Sequence, residues 1–189
     1  GAYVSAGSFG KYLKSTFIPS VNSLAGTYTQ VDYKAADGSI EATYTDKIII
    51  APVAGELSQF TITNFWDGGG EVITASIDFN TGILKILPQV IYIDTDYGNC
   101  KLFPYNVSAN TVDKSVIPVT GTLGTDGVIT IDSWAAIVDA GSFGKYLKST
   151  LTKSAASAVS GRKGRMSILD DKNSTPLKVK TDFTLFFKE

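Results

Sequence analysis

The chain has 189 residues, 43 % of them hydrophobic, and a formal charge of −1. That is enough apolar material for one large domain or two small ones, and a near-neutral surface does not suit phosphate neutralisation, so no nucleic-acid partner is expected. With no histidine and a single cysteine, Cys100, the chain lacks the commonest general base and metal ligand and can form neither an internal disulfide nor a Cys-based metal site.

Residues 1–24 begin as a mixed polar and aromatic lead, AYVSAGSFGKYLKSTFIPSVNS from Ala2. Gly1 stands where a Met would, which reads as a processed or tag-cleaved start, with an export signal expected to have been removed. Residues 26–33 alternate as a strand. Ala36-Asp37-Gly38-Ser39 is a turn, and a long strand follows from Ile40 through Ile50, stopped by Pro52. Residues 59–66 alternate again, with Phe60, Ile62, Asn64 and Trp66 on one face and Thr61, Thr63 and Phe65 on the other. Asp67-Gly68-Gly69-Gly70 stops that run. In residues 72–79, Val72, Thr74, Ser76 and Asp78 oppose Ile73, Ala75, Ile77 and Phe79. Asn80-Thr81-Gly82 is a hairpin signal, and strands 83–87 and 90–93 follow.

Asp94 to Asn99 is a loop. Residues 101–107 form a strand that Pro104 marks as an edge or a bulge. Residues 108–115 are a polar loop. Strands 116–123 and 128–134 flank the turn Gly124-Thr125-Asp126-Gly127. Residues 149–160 fit a loop or a weak Ala- and Ser-rich helix. Arg162, Lys163 and Arg165 lie in a Gly-broken basic patch, read as a solvated loop or an anion contact. A last hairpin is expected over 166–169 and 177–187. Connections this short leave no room for crossover helices, so the strands should pair antiparallel. The fold class is all-β: an antiparallel meander forming a sandwich or barrel, with an added C-terminal hairpin. The organisation read from this is a repeat segment at 1–24, a main β domain at 25–135, and a second repeat copy with the hairpin at 136–189. No apolar run approaches the roughly 20 residues that a membrane-spanning helix needs.

The sequence AGSFGKYLKST occurs twice, at 6–16 and at 140–150. Ala2 matches Ala136 and Val4 matches Val138 in the same alignment. Equal sequences have equal local propensities, so both copies are expected to be extended and to lie at sheet edges. Phe9 and Phe143 are expected to be buried, since burying a Phe gains about 1.5–3 kcal/mol. Lys11, Lys14 and their copies Lys145 and Lys148 should face solvent as edge protection.

Trp66 beside Asp67 and the glycines is the leading binding candidate. Its indole can stack on a sugar ring while Asp67 accepts from hydroxyls; the competing reading is a plug for the core. The following glycines predict that Trp66 is at least partly exposed. Tyr97, at a loop tip, and Trp134, closing a hairpin, complete the candidate aromatic contacts, with a core position as the alternative for Trp134. Asp94, Asp96 and Asn99 carry oxygen ligands, but without the glycine and distal Glu of a calcium loop they read as an Asx turn. Glu56, Asp67 and Glu71 are the carboxylates available for a glycosidase pair. No G-x-S-x-G elbow is present and a His-dependent triad is impossible. Esterase, protease and zinc-dependent activities are therefore not expected, and no metal or cofactor is assigned.

GTYT at 26–29, ITNFWDGGGE at 62–71, GILKILPQVI at 82–91 and VTGTLGTDGVITIDSW at 119–134 together resemble a pattern in secreted or lipid-anchored β proteins of Bacteroidetes. The resemblance covers about residues 25–135. It implies export and a cell-surface setting near glycan-handling systems, and it carries over no catalytic residue. The chain is thus expected to be a non-catalytic secreted or cell-surface module, binding a glycan through Trp66, Asp67, Tyr97 and Trp134. The alternatives are an adhesive module that joins a protein partner by strand addition at the repeated segments, and a carboxylate-dependent glycoside hydrolase.

Overall fold

The computed structural model describes residues 20–67 and 69–155. The first repeat copy with Phe9, the basic patch and the C-terminal hairpin all lie outside the described residues. One helical turn, α1 (Val21–Leu24), leads into twelve strands: β1 (Gly26–Lys34), β2 (Ile40–Pro52), β3 (Gln59–Thr63), β4 (Val72–Asp78), β5 (Ile83–Ile86), β6 (Val90–Asp94), β7 (Gly98–Asn106), β8 (Thr111–Val112), β9 (Val119–Leu123), β10 (Ile129–Ile131), β11 (Trp134–Val138) and β12 (Gly141–Lys153). Eight of them close a barrel in the order β1-β2-β3-β4-β5-β9-β10-β12, with β12 pairing back onto β1. Every pairing is antiparallel. The all-β reading holds, and the architecture is a barrel.

Period-two alternation builds the wall. In β4, Ile73, Ala75 and Ile77 are buried while Val72, Thr74 and Asp78 are exposed. Ile48, Phe60, Ile62, Leu84, Ile86, Ile129, Ile131 and Leu151 fill the inside, as expected when eight strands leave a lumen only wide enough for side chains. Val21 and Leu24 of α1 are buried against this core, and Tyr28 donates its hydroxyl to the Leu24 carbonyl at 2.7 Å. Gly82, at φ 72°, supplies the left-handed residue that the β4–β5 turn requires.

Strand β12 is long enough to take two sets of neighbours. Residues 146–153 pair with β1 on one side, and on the other side 149–151 pair with β10 and 141–146 with β11. From β11 the sheet continues through β7 to β6, and the two-residue β8 pairs with the end of β7. Strand β11 is buried on both faces, with Trp134, Ala136 and Val138 in the barrel core. Its Ala135 and Ile137 pack with Tyr105 in a second, smaller cluster.

Several expectations change. The boundary at 135 is not a structural one, because β12 is a wall of the barrel. The second repeat copy is extended; its first part, 141–145, has a strand on one side only, β11, whereas its end at 149–150 is enclosed between β1 and β10 and is not at an edge. Phe143 is not buried: it is 40 % exposed, because it precedes the stretch of β12 enclosed between β1 and β10. Residues 149–153 are strand rather than helix or loop. Residues 108–115 are not wholly loop, since they contain β8. Residues 101–107 run on through Pro104, which pairs with Trp134 while its carbonyl accepts from Asp113 N at 3.0 Å. The strand expected over 59–66 stops at Thr63, where Asn64 turns to φ 63°.

One edge is closed without a strand. On its β5 side β4 is paired only over residues 76–78. Beyond that, Gln89 takes the place of a ladder partner: its Oε1 accepts from Thr74 N and its Nε2 donates to Thr74 O, both at 2.8 Å.

Candidate functional site

After β3 the chain folds inward through a short 3-10 turn, Phe65–Asp67. Three non-glycine residues there, Asn64, Trp66 and Asp67, have φ between 54° and 63°, a conformation that L-residues rarely adopt and that clusters at functional sites. The turn is held by Asn64 Nδ2 donating to the Lys47 carbonyl at 3.1 Å and by a Lys47–Asp67 ion pair at 2.8 Å. It buries Phe65 completely against Trp134, with ring centroids 5.1 Å apart. Trp66 is left partly exposed, as the sequence predicts.

Trp66 is the hub of an aromatic cap. Its ring lies 6.1–6.5 Å from those of Tyr92, Trp134, Phe143 and Tyr146. Its Nε1 donates to the Tyr146 hydroxyl at 2.6 Å. Tyr146 in turn stacks on Trp134 at 4.3 Å. Its ring folds over Gly144, where an added Cβ would collide with it. On the outer side, Phe143 meets Tyr97 edge to face at 5.6 Å, a favoured geometry for aromatic pairs. Tyr97 is 55 % exposed. It is presented by an Asx turn in which Asp94 Oδ1 accepts from the N–H groups of Asp96 and Tyr97 at 2.8 and 2.9 Å.

Beneath the cap lies a buried carboxylate that sequence reasoning missed. Tyr28, Gln30 and Asp32 share the inward face of β1, and Gln30 and Asp32 are both 0 % exposed. Asp32 Oδ1 accepts from Gln30 Nε2 at 2.7 Å and from Ser149 Oγ at 2.5 Å. Ser149 accepts from Trp134 Nε1 at 2.8 Å, and Gln30 Oε1 accepts from the Trp66 backbone N–H at 3.2 Å. Among the described residues nothing bonds to Asp32 Oδ2. Burial disfavours the charged form and pushes the carboxyl up to about 6; the bonds from Gln30 and Ser149 oppose this, and the negative charge of Glu41 adds to it. The same burial raises Tyr146, and it raises Tyr44 to about 12.

The sequence candidates therefore separate. Trp66 and Tyr97 both border Phe143 and belong to one surface. Asp67 is exposed beside Trp66, with its carboxylate engaged by Lys47. Trp134 does not join them as a contact: it is 0 % exposed, covered by Phe65, Trp66 and Tyr146. Its role is to support the cap from below. Phe143 joins the site, and the signal that could have found it was its place in the Gly141-Ser142-Phe143-Gly144 run, where the small flanking residues give its ring little cover. Gln30 and Asp32 share a strand face with Tyr28, but only the barrel shows that this face points inward. Grooves of about 760 Å³ along β7 and β8 and about 430 Å³ beside Thr74 and Gln89 are lined by none of the sequence candidates. Among the described residues no helix is long and apolar enough to cross a membrane.

No family model matches the chain, and no curated protein or solved structure is significantly similar to it.

Proposed function

We propose that the chain is a non-catalytic binding module for a glycan, working in a secreted or outer-surface setting. Its contact surface is the aromatic ledge of Tyr97, Phe143 and Trp66, with Asp67 and Lys47 at its side. The observation that carries this reading is the meeting of three at least partly exposed rings from three separate segments: the β6–β7 turn, β12 and the 3-10 turn. Sugar rings present flat faces of C–H groups that stack on such rings, while Asp67 and Lys47 offer an acceptor and a donor for hydroxyls. The strained backbone at Asn64, Trp66 and Asp67 supports it, because such residues persist only where the surroundings enforce them. The resemblance of residues 25–135 to Bacteroidetes surface proteins supports the setting.

A glycan-array screen of the purified chain, followed by titration of the best ligand against Tyr97→Ala and Phe143→Ala, tests this. Each substitution should weaken binding by about tenfold or more, since burying an aromatic side chain against the ligand is worth roughly 1.5–3 kcal/mol and about 1.4 kcal/mol is tenfold. An array with no ligand, or affinities unchanged in both variants, would overturn the reading.

A further inference from the structure

Both tryptophans of the chain hang on one carboxyl through a single intermediary each. Asp32 Oδ1 accepts from the Gln30 amide, whose own oxygen accepts from the Trp66 backbone N–H. The same Oδ1 accepts from the Ser149 hydroxyl, which in turn accepts from the Trp134 indole N–H. Trp66 returns to this network at its other end, because its indole N–H goes to Tyr146, which is stacked on Trp134. The Gln30 amide satisfies both of its neighbours in one orientation only, with its NH2 toward Asp32 and its oxygen toward Trp66. Oδ1 therefore accepts in either protonation state, and the proton of the neutral acid belongs on Oδ2.

Among the described residues none donates to Oδ2. A neutral hydroxyl tolerates that position better than a charge does, since a buried charge without a donor costs far more than a buried polar group. The ionised Asp32 needs a donor, and both routes to one run through Trp66. Gln30 can turn its NH2 further onto the carboxylate, which takes its oxygen off the Trp66 N–H. Water can also enter, and the weakest cover is the 3-10 turn. Strands β1, β2 and β12 are laced together by ladder bonds, whereas the turn belongs to no ladder and carries strained residues.

The groups that govern this charge come from several elements. Glu41 and Tyr44 bear on Asp32 from β2, and Tyr146 from β12. Burial raises both phenols, so they stay neutral where a carboxyl titrates. The neighbouring cations are engaged elsewhere: Lys34 pairs with Glu41 at 3.2 Å, Lys148 lies over the Tyr33 ring at 4.8 Å, and Lys47 of β2 is held by Asp67 of the turn. Strand β11 meets the network with the uncharged Trp134.

We propose that Asp32 is a proton switch for the aromatic ledge: as the neutral acid it holds the Trp66 turn closed, and as the carboxylate it releases the turn. For its ligand this rests on the ledge being the glycan surface; the switch itself does not need that reading. A sugar stacked on Trp66 thickens the cover over Asp32 and so favours the neutral acid. By reciprocity, binding takes up a proton and is tightest on the acid side.

The test begins with the full chain alone. Tryptophan emission and its quenching by iodide are followed from about pH 5 to about pH 8, on either side of the value to which burial moves Asp32. We expect one transition centred near 6, with a red shift and stronger quenching on the alkaline side. The chain has no histidine to supply such a transition. Asp32→Asn should keep the acid-side emission throughout. Glu41→Gln should move the midpoint to lower pH, because the Glu41 charge raises Asp32; a purely structural role would not give that shift. The glycan array is then read at both ends of the range. The parent signal should drop about fivefold or more from the acid to the alkaline end, and Asp32→Asn should bind alike at both. No transition, the same transition in Asp32→Asn, or an unmoved midpoint in Glu41→Gln overturns the switch even where glycans bind. Glycan signals equal at both ends despite the transition overturn it as a regulator of the ledge. A transition that Asp32→Asn abolishes, beside an array blank at both ends, supports the switch and sinks the glycan reading instead.

Discussion

Asp32 shows most clearly what a single residue does in this barrel. A carboxyl held near 6, against an ordinary value of 3.8, keeps its proton more readily in the folded than in the unfolded chain. The native state therefore binds more protons between those values. Its contribution to stability is fully present below about pH 4, falls as pH rises through 6, and is level above that. The difference amounts to roughly 3 kcal/mol. Asp32→Asn replaces the neutral acid by an isostere, so urea unfolding should show a variant at least as stable as the parent at pH 7 and no advantage for it at pH 4. A stability difference that is the same at both pH values would remove Asp32 as the cause. Tyr146→Phe leaves the Trp66 indole N–H without its acceptor and should cost about 1–3 kcal/mol, read as a lower unfolding midpoint with a red-shifted tryptophan emission. Asp32 was not legible beforehand because Tyr-Gln-Asp on one strand face reads as half solvated. What places it inside is Ser149, on a strand that closes the barrel only at the end of the fold.

At the scale of elements, the strands were the legible part. Hydrophobic alternation located β1 to β5 and the β9–β10 hairpin, because each buries one face and needs no distant information to show it. The turn at 64–67 was not legible. Local pattern extends β3 to Trp66, whereas Phe65 buries itself by packing on Trp134 and the backbone takes up the strain. Asn64→Ala should therefore lose twice over, through a left-handed backbone position and through the bond to the Lys47 carbonyl. We expect about 1–3 kcal/mol of destabilisation and a shift in Trp66 exposure to iodide; an unchanged protein would mean that the turn relaxes freely. Gly121 makes the corresponding point for β9. A Cβ there would stand 2.5 Å from the Thr130 carbonyl oxygen and 3.2 Å from Ile131 Cα, both backbone atoms of the paired strand. Gly121→Ala should cost about 1–3 kcal/mol, measured by thermal unfolding.

For the whole molecule, closure depends on pairing residues that are far apart in sequence, so the barrel should open as one unit rather than strand by strand. Cys100 reports this. It is fully buried, and burial with the nearby Asp94 charge raises its thiol to about 11. Native-state labelling of Cys100 should follow global unfolding, and it should accelerate in Gly121→Ala in proportion to the lost stability. Labelling at the rate of a free thiol would show that β6 and β7 open independently of the barrel. The all-β class was legible because it follows from local alternation; the choice between sandwich and barrel was not, because closure is a property of β1 and β12 together. The Gln89 amide set against Thr74 has a consequence for colloidal behaviour. Exposed backbone on β4 would be a template for another chain, and a single side chain blunts it. Gln89→Ala should leave the monomer folded yet make it self-associate as concentration rises, visible as growth in light scattering, which would make one amide the guardian of solubility.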